Sequence, residues 1–323
     1  MIRALLSAAC AIVVGFTLIA ATPALAQPYP SKPVRWILGF PGGGTSDILA
    51  RSLAAKMGES LGQQFIIDNR PGASGIIANV FVTRAPADGY TILLVSSTYA
   101  NLISMQKKLP YDPSELAPVA LIASVPNILS THPSLPVSSV KDLIALARKK
   151  PGEINYGTGG VGTGPHLATE LFLLMTGTRM THVAYKGTPP AVNDLLAGRV
   201  QVMFALSPVS MPHVKAGKLK ALAVSGSTRL AELPNTPTVA ETVRDYEATT
   251  WYGVLVPRGT PKALVDTLNR ELAKALAAPD TAKRLAAVGF QTETSTPEAF
   301  SKYIESETAK WARVIKEANI PTD

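Results

Sequence analysis

The sequence predicts an α/β protein with mainly parallel sheets, organised as two lobes around a ligand cleft. Apolar runs of strand length alternate with longer amphipathic helical patterns, which is the order expected when helices connect parallel strands. Two glycine-rich segments, 41–44 and 158–164, each follow an apolar strand and open a helix. Because ligands bind at the carboxyl edge of such sheets, two matched loops roughly 115 residues apart indicate two lobes that share one cleft.

The first set of elements begins after the N-terminal segment. It reads in order as strand 34–38, helix from about 46 to 61, strand 65–68, a helix ending near 84, and strand 91–95. A second set reads as helix 140–149, strand 154–156, helix 166–175, strand 181–184, helix 189–197 and strand 200–204. The C-terminal third adds strand 252–256, a helix from 262 to about 278, and a helix from 298 to about 318. Helices between strands favour parallel pairing within each set.

Three helix starts share a Thr-Pro pair. Thr188, Thr260 and Thr296 each precede a proline. Threonine suits the N-cap position and proline suits the first helical residue, so each threonine is predicted to cap its helix.

The first 26 residues are typical of a secretory signal peptide. Arg3 precedes an apolar run over 5–21, and Ala24-Leu25-Ala26 supplies small residues before a cleavage site at Gln27. An uncleaved anchor is the alternative, although a run of about 17 residues is marginal for a membrane span. We therefore expect a mature protein of residues 27–323 in the bacterial periplasm. The single cysteine, Cys10, lies inside the signal, so the mature chain has no disulfide.

Charge and aromatic content limit the classes of partner. The chain carries 31 basic and 23 acidic residues, and its formal net charge of +8 attracts anions. The basic residues are scattered and aromatic residues make up only 6% of the chain. No basic and aromatic stripe suited to nucleic acid emerges from that distribution. A small anion is the better candidate, and no nucleic acid partner is expected.

Enzyme and cofactor motifs fail on spacing. Residues 157–162 match G-x-G-x-x-G, but no acidic residue stands about 20 positions later to hold a ribose. Ser74 lacks the G-x-S-x-G spacing of a nucleophile elbow. Four histidines are nevertheless available as bases, so an exported hydrolase using Ser74 or Ser97 stays open as an alternative. The histidines are too widely spaced to build a zinc site on one element, and no cofactor is expected.

Backbone amides of the two glycine loops form the predicted binding site. Segments 40–47 and 158–166 place unhindered N–H groups and hydroxyls at the start of a helix, where the helix dipole favours a carboxylate. Hydrogen bonds to a charge contribute about 1.5–3 kcal/mol each, so four or five donors supply the roughly 8 kcal/mol of micromolar binding. Asp47 is expected to hold the first loop and to pair with Arg51. Arg70 is either an anion ligand or part of an exposed ion pair, and Lys186 either adds charge at the cleft edge or is solvated.

Short motifs spread in order over the whole mature chain carry a family likeness. They are Pro30-x-Lys32-Pro33-Val34, Phe40-Pro41-x-Gly43-Gly44-x-x-Asp47, Asn69-Arg70-Pro71-Gly72-Ala73-x-Gly75, Ala87-Asp88-Gly89-Tyr90-Thr91, Tyr156-Gly157-Thr158-Gly159, Pro165-His166-Leu167-Ala168, Val183-Ala184-Tyr185-Lys186-Gly187 and Trp251-Tyr252-Gly253. Together they resemble the Bug family, the extracytoplasmic receptors of tripartite tricarboxylate transporters.

The resemblance implies a type II periplasmic-binding-protein fold. Lobe 1 is expected to comprise 27–127 plus 252–323, and lobe 2 to comprise 128–251, with crossover strands near 125–129 and 251–256. The expected ligand is a small organic carboxylate, held by loop amides, hydroxyls and waters without an arginine clamp, and the protein is expected to be a monomeric receptor and not an enzyme. Lobe closure would present the ligand to a membrane permease or, alternatively, to a sensor protein.

The resemblance also assigns ligand-binding residues by position. Lobe 1 contributes Phe40, Gly43, Gly44, Thr45, Ser46, Ala73, Ser74, Ser96 and Ser97. Lobe 2 contributes Thr158, Gly160, Thr163, His166, Tyr185, Lys186 and the stretch from Ala205 to Ser207. Phe40 is expected to cover the ligand as an apolar lid. Many family members carry an acidic residue where this chain has Ala205, so a di- or tricarboxylate or an aromatic acid is favoured over an amino acid.

Overall fold

The structure is a computed structural model that describes residues 29–317 and residue 320. The predicted signal peptide, its cleavage site and Cys10 lie outside the described residues. Within 29–317, no helix combines the length and the apolar character that crossing a membrane requires.

The described part of the chain alternates strands with helices. The strands are β1 (Val34–Leu38), β2 (Phe65–Asn69), β3 (Thr91–Ser96), β4 (Leu116–Thr131), β5 (Asn155–Thr158), β6 (Thr181–Ala184), β7 (Val202–Leu206), β8 (Lys220–Val224), β9 (Thr249–Pro257) and β10 (Gln291–Thr292). The helices are α1 (Thr45–Leu61), α2 (Ile76–Thr83), α3 (Thr98–Met105), α4 (Val140–Lys149), α5 (Gly164–Thr176), α6 (Thr188–Leu196), α7 (Ser207–Lys215), α8 (Lys262–Ala277), α9 (Pro279–Ala286) and α10 (Pro297–Glu317).

Two parallel groups of strands are joined by two long antiparallel strands. The order is β2-β1-β3-β9-β4-β7-β5-β6, with β8 and β10 also paired to β4. The β2-β1-β3 group and the β7-β5-β6 group are internally parallel, as predicted. We call the part of the protein built on the first group lobe 1 and the part built on the second lobe 2. The chain therefore has the two-lobe α/β architecture that the sequence predicts.

Strand β4 runs through both lobes. Its first part, Leu116 to Pro126, pairs with β9, and its last part, Asn127 to Thr131, pairs with β7 and β8. The sequence predicts only a crossover near 125–129 within this strand, because a long apolar run lacks the alternation that identifies a half-buried strand. Helices α3, α7 and α9 were unassigned. Strands β5 and β7 begin one and two residues later than predicted, since pairing such as Tyr156 with Val202 sets their register.

Each face of the lobe 1 sheet packs against helices. Trp36 and Leu38 of β1 pack in one cluster with Leu53 of α1 and Leu272 of α8. Ile37 points to the opposite face and packs with Val82 of α2. This alternation is the two-residue period of a strand buried on both faces. The cores of both sides therefore fix β1, and with it the position where the first glycine loop begins.

Helix α10 packs against both lobes. Phe300 near its start joins the lobe 1 cluster, whereas Trp311 near its end joins a cluster that contains Tyr156 of β5. Between them, the buried Glu307 Oε2 accepts hydrogen bonds from Trp251 Nε1 at 3.2 Å and Trp311 Nε1 at 3.1 Å. The helix is thereby tied to β9, one of the two strands that join the lobes.

Only one of the three predicted threonine caps is found. Thr296 Oγ1 accepts a hydrogen bond from Ala299 N at 3.2 Å. Thr188 is the first residue of α6, whose N-cap is Gly187, and Pro261 occupies the N-cap of α8. The predictions for Thr188 and Thr260 are therefore wrong. Thr260 Oγ1 instead donates to Pro257 O at 2.7 Å, which closes the turn before the helix.

Candidate ligand-binding cleft

The first glycine loop connects β1 to α1 and is held by Asp47. The Oδ2 atom of Asp47 accepts hydrogen bonds from Gly43 N at 3.0 Å and Arg51 Nε at 2.8 Å. Burial acts to raise the pKa of Asp47, but these bonds outweigh it and hold the pKa below its ordinary value. Asp47 therefore has the loop-holding role that was predicted. The N–H of Gly43, which was predicted to bind ligand, is already used by Asp47.

The next amides of this loop are available at the start of α1. Within the described residues, the N–H groups of Thr45 and Ser46 have no hydrogen-bond acceptor, as expected for a helix N-terminus. These N–H groups and the helix dipole give the segment a partial positive charge without any ionised side chain. This end of α1 suits an anionic group.

The second glycine loop, between β5 and α5, is held by its own side chains. Thr158 Oγ1 accepts from Gly160 N at 3.2 Å, and Thr163 Oγ1 donates to Gly160 O at 2.7 Å. His166 Nδ1 accepts from Gly162 N at 3.2 Å. Gly160 has φ of 133°, a conformation that favours glycine. Thr158 and His166, which were predicted to contact ligand, make these hydrogen bonds within the loop and do not line the cavity described below.

Two stacked histidines support this loop from behind. The rings of His166 and His182 stack at 4.4 Å between centroids, and His182 Nε2 lies 2.6 Å from Thr158 Oγ1. Burial, followed by the neighbouring His182, lowers the pKa of His166 to about 3, and burial lowers the pKa of His182 to about 4. Both rings are therefore neutral near pH 7. Glu170, 3.9 Å from His166, forms no ion pair with a neutral ring and instead accepts a hydrogen bond from Tyr156.

The two loops meet at a small enclosed cavity between the lobes. Its volume is about 30 Å³, room for about two water molecules. It is lined by Phe40, Pro41, Gly44, Thr45, Ser46, Ser96, Thr98, Gly159, Thr163, Gly164, Pro165, Thr188, Pro189, Leu206, Thr250 and Tyr252. A larger groove of about 740 Å³ runs along α1 and β2, but it is open to solvent and includes no residue of either glycine loop.

Two of the lining residues, Thr45 and Thr250, carry a buried hydroxyl without a partner, and Ser97, beside Gly164, carries a third. Among the described residues, Thr45 Oγ1, Ser97 Oγ and Thr250 Oγ1 are buried and make no hydrogen bond. A buried polar atom without a partner costs about 1–3 kcal/mol, so such atoms point to a group that satisfies them. The lining residues carry no ionised side chain. A carboxylate in this cavity would be held by neutral N–H and O–H donors.

The lobes touch each other around the cavity. Ser74 Oγ donates to Val161 O at 2.7 Å, and Asn101 Nδ2 donates to Gly162 O at 2.8 Å. A Cβ atom added to Gly187 would lie 2.6 Å from Pro41 Cδ, which is closer than real side chains approach. Glycine at 187 thus allows lobe 2 to approach the first loop.

Several predicted residues lie in the cavity wall and others do not. Those in the wall are Phe40, Gly44, Thr45, Ser46, Ser96 and Thr163. Ser74 lines a smaller cavity behind Phe40, and Ser97 lies beside Gly164.

The remaining predicted residues serve other contacts. Ala73 and Lys186 are exposed. Tyr185 OH donates to Asp194 Oδ2 at 2.7 Å. Ala205 is buried in a hydrophobic cluster, and Ser207 Oγ donates to Gly289 O at 3.2 Å. None of these five residues lines the cavity. Leu206, the last residue of β7, does line it.

Sequence reasoning missed the contribution of β9. Thr250 and Tyr252 line the cavity, although they lie far from both glycine loops in sequence. Burial raises the pKa of Tyr252, against smaller opposing contributions from the hydroxyls of Thr45 and Ser46. The motif Trp251-Tyr252-Gly253 was the available signal, and it was interpreted only as a crossover strand. Thr188 was likewise interpreted only as a helix cap.

The geometry does not assemble a hydrolase. Ser74 Oγ donates to a main-chain carbonyl, and no hydrogen bond joins Ser74 or Ser97 to a histidine among the described residues. A serine nucleophile needs a base within hydrogen-bond reach.

Comparison with known proteins agrees with a binding cleft. Residues 49–320 match the family model described as the tripartite tricarboxylate transporter family receptor. The chain belongs to this family. The family consists of solute-binding receptors and not enzymes, and the Bug resemblance noted from the motifs is confirmed.

Individual relatives extend over the same length. Protein BugT of Bordetella pertussis is 38% identical over 301 residues, covering 92% of each chain. A solved structure of R. palustris Rpa4515 with adipate is 40% identical with a TM-score of 0.88, and covers 91% of this chain and 99% of that chain. MatC from Rhodopseudomonas palustris with bound malate is 27% identical with a TM-score of 0.84, and covers 89% and 100% respectively. The receptor therefore has the periplasmic-binding-protein fold.

Proposed function

We propose that this receptor captures a small organic dicarboxylate between its lobes and presents it to the membrane permease of a tripartite tricarboxylate transporter. One observation carries the proposal. Two buried hydroxyls without partners, on Thr45 and Thr250, line the cavity where the free amides of α1 meet the second glycine loop. A carboxylate is the group that accepts all of these donors at once.

Neutral donors are sufficient for the affinity that such a receptor needs. Each hydrogen bond to a charged group contributes about 1.5–3 kcal/mol. Micromolar binding requires about 8 kcal/mol. Two hydroxyls and two amides contribute about 6–12 kcal/mol in total, a range that includes this requirement, and bonds near the upper value also cover the cost of ordering the lobes. The absence of a charged residue from the lining also lets the ligand leave when the lobes separate.

Lobe movement follows from the size of the cavity. A volume of about 30 Å³ holds about two waters and is too small for a dicarboxylate. Contacts such as Ser74 with Val161 close the rim. Ligand entry therefore requires the lobes to separate about β4 and β9, and closure around the ligand selects the bound state.

The ligand class follows from the wall chemistry and the relatives. Adipate and malate occupy two of the solved relatives, and both are dicarboxylates. Ala205 places no carboxylate near the cavity, so nothing compensates an ammonium group there. A dicarboxylate is therefore preferred over an amino acid. We further propose export by the signal peptide 1–26 and the lobe boundaries 27–127 plus 252–323 and 128–251.

A thermal-shift screen of residues 27–323 tests the function. Adipate, malate, citrate, benzoate, glutamate and lysine are compared at equal ionic strength. A ligand present at about 100 times its Kd adds about 2.7 kcal/mol of stability. We expect a selective rise of Tm with one dicarboxylate, which is recovered unchanged after incubation. A rise only with glutamate or lysine, or no rise with any acid after refolding from denaturant, would overturn the proposal.

A further inference from the structure

A groove of about 440 Å³ on the outer surface of lobe 1 collects three arginines around one aromatic ring. Arg35 comes from β1, Arg70 follows β2, and Arg84 caps the C-terminal end of α2. Phe81 of α2 lies in the wall between them. None of these residues lines the cavity between the lobes.

The groove carries more positive than negative charge. Asp68 Oδ2 accepts from Arg35 Nη2 at 2.7 Å and from Arg70 Nε at 3.1 Å. One carboxylate thus serves two arginines. Arg84 forms no ion pair with any described residue. A local excess of about two positive charges attracts an anionic partner over roughly one Debye length.

Two of the three guanidinium groups, those of Arg35 and Arg70, are held in place before any partner binds. Arg70 Cζ lies 3.7 Å from the ring centroid of Phe81, and Arg35 Cζ lies 5.2 Å from it. Stacking of this kind contributes about 0.5–1 kcal/mol at exposed sites. Planar, fixed guanidinium groups bind carboxylates through two parallel hydrogen bonds, which a flexible ammonium group does not provide.

The same surface offers apolar contact beside the charges. Ile77 is 51% exposed and lines the groove with the half-buried Val80 and Phe81. Ile66, which is 46% exposed, sits directly opposite Arg35 in the pairing of β1 with β2. A partner that fits this surface presents carboxylates on either side of an apolar side chain. Nucleic acid and lipid headgroups present the charge without that side chain.

We propose that this groove is a docking site for an acidic segment of a partner protein. Such a segment places Asp or Glu side chains against Arg84 and Arg70, and a Leu or Ile between them against Ile77 and Phe81. The surface lies next to the turn Ala73–Gly75, where Ser74 contacts Val161 of lobe 2. A partner bound in the groove therefore lies beside the turn of lobe 1 that contacts lobe 2. That a partner protein exists rests on the proposed receptor function. The groove and its chemistry are observed independently of that proposal.

A labelled peptide of sequence Glu-Glu-Leu-Glu-Glu is the probe. Its binding to residues 27–323 is followed by fluorescence polarisation at low ionic strength, with Arg84→Glu as the test variant. Arg244→Glu is the matched control, because it makes the same charge change at a side chain that is 95% exposed and belongs to lobe 2. We expect Arg84→Glu to weaken peptide binding about ten-fold or more and Arg244→Glu to change it less than about two-fold.

Each other outcome contradicts the proposal. Undetectable binding to the wild-type protein would exclude the groove as a site for such a segment. Equal losses in both variants would reduce the effect to net charge. Binding of phosphatidylglycerol vesicles that Arg84→Glu abolishes, without peptide binding, would identify a membrane surface instead. The thermal shift with adipate is measured on every variant. A retained shift shows that the fold and the cleft are intact, so loss of peptide binding is separated from failure of the carboxylate site.

Discussion

The hydroxyl of Ser74 in lobe 1 donates a hydrogen bond to the carbonyl oxygen of Val161 in lobe 2, with 2.7 Å between the two oxygens. Ser74 has a left-handed backbone, with φ of 51°, which is uncommon for a residue with a side chain. The turn Ala73–Gly75 thus aims this hydroxyl at the second glycine loop. The bond exists only while the lobes are in contact.

Ser74→Ala is expected to weaken ligand binding about five-fold, because a hydrogen bond made only in the closed state contributes about 1 kcal/mol. Titration calorimetry with the dicarboxylate found in the screen measures the change. Ser306→Ala is the control, since Ser306 Oγ donates within its own helix, to Tyr303 O at 2.8 Å. Equal affinities of the two variants would show that this contact plays no part in closure.

Thr45→Val is expected to separate binding from stability. The substitution keeps the shape of the side chain and removes a buried hydroxyl that has no partner among the described residues. Ligand affinity should fall about ten-fold or more, because a hydrogen bond to a carboxylate is lost. The unfolding free energy without ligand should stay the same or rise slightly, as measured by urea denaturation.

Thr281→Val is the matched control for this experiment. Thr281 Oγ1 is also buried without a partner, but it lies in α9, outside the cavity wall. Its replacement should leave affinity unchanged. A loss of affinity in Thr281→Val, or none in Thr45→Val, would remove Thr45 from the site.

Asp47→Asn is expected to destabilise the protein at pH 7 by about 1–2 kcal/mol, because the charge-assisted bonds to Arg51 and Gly43 N–H are weakened. The pKa of Asp47 is lowered in the folded state. Its contribution is therefore complete above the unfolded value of about 3.9 and is lost as the pH falls through the lower folded pKa. Urea denaturation at pH 7 and at pH 3 measures both effects.

The difference between wild type and Asp47→Asn should shrink at the lower pH. Asp266→Asn removes an exposed partner of Lys262 and should change stability by less than about 0.5 kcal/mol at either pH. A pH-independent effect of Asp47→Asn would mean that packing and not charge explains it.

The two stacked histidines predict a loss of stability in mild acid. The pKa of His166 is about 3 and that of His182 about 4 in the folded protein, whereas an unfolded histidine has a pKa near 6.5. At a pH between the folded and the unfolded pKa, each histidine binds a proton in the unfolded state but not in the folded state. Stability therefore falls with decreasing pH, by up to about 1.4 kcal/mol per pH unit for each histidine.

His166→Asn tests this assignment. The Asn carbonyl oxygen replaces Nδ1 as the acceptor for Gly162 N–H and does not titrate. Between pH 6 and pH 4.5, the unfolding free energy should fall less steeply with decreasing pH than in wild type. The difference in slope should equal the contribution of one histidine. Parallel curves would show that His166 is protonated in the folded state.

Local sequence patterns were sufficient for the fold class and for the position of both glycine loops. The strands before the loops are short apolar runs, and a run of residues with helical patterning follows each loop. Asp47 and Arg51 are four residues apart on one helix, so their contact also follows from local geometry. Such contacts depend on residues within one or two turns of each other, so the element itself brings the two side chains within reach.

Tertiary structure alone decided which residues face the cavity. Thr250 and Tyr252 enter the wall because β9 pairs with β3 and β4. His166 was expected to contact ligand, but stacking on His182 turns Nδ1 toward its own loop. Strand pairing and lobe contacts join segments that are distant in the chain, and their free energy depends on the whole packed core. The neighbours of a side chain at such a junction come from distant parts of the chain, so a local sequence pattern does not include them.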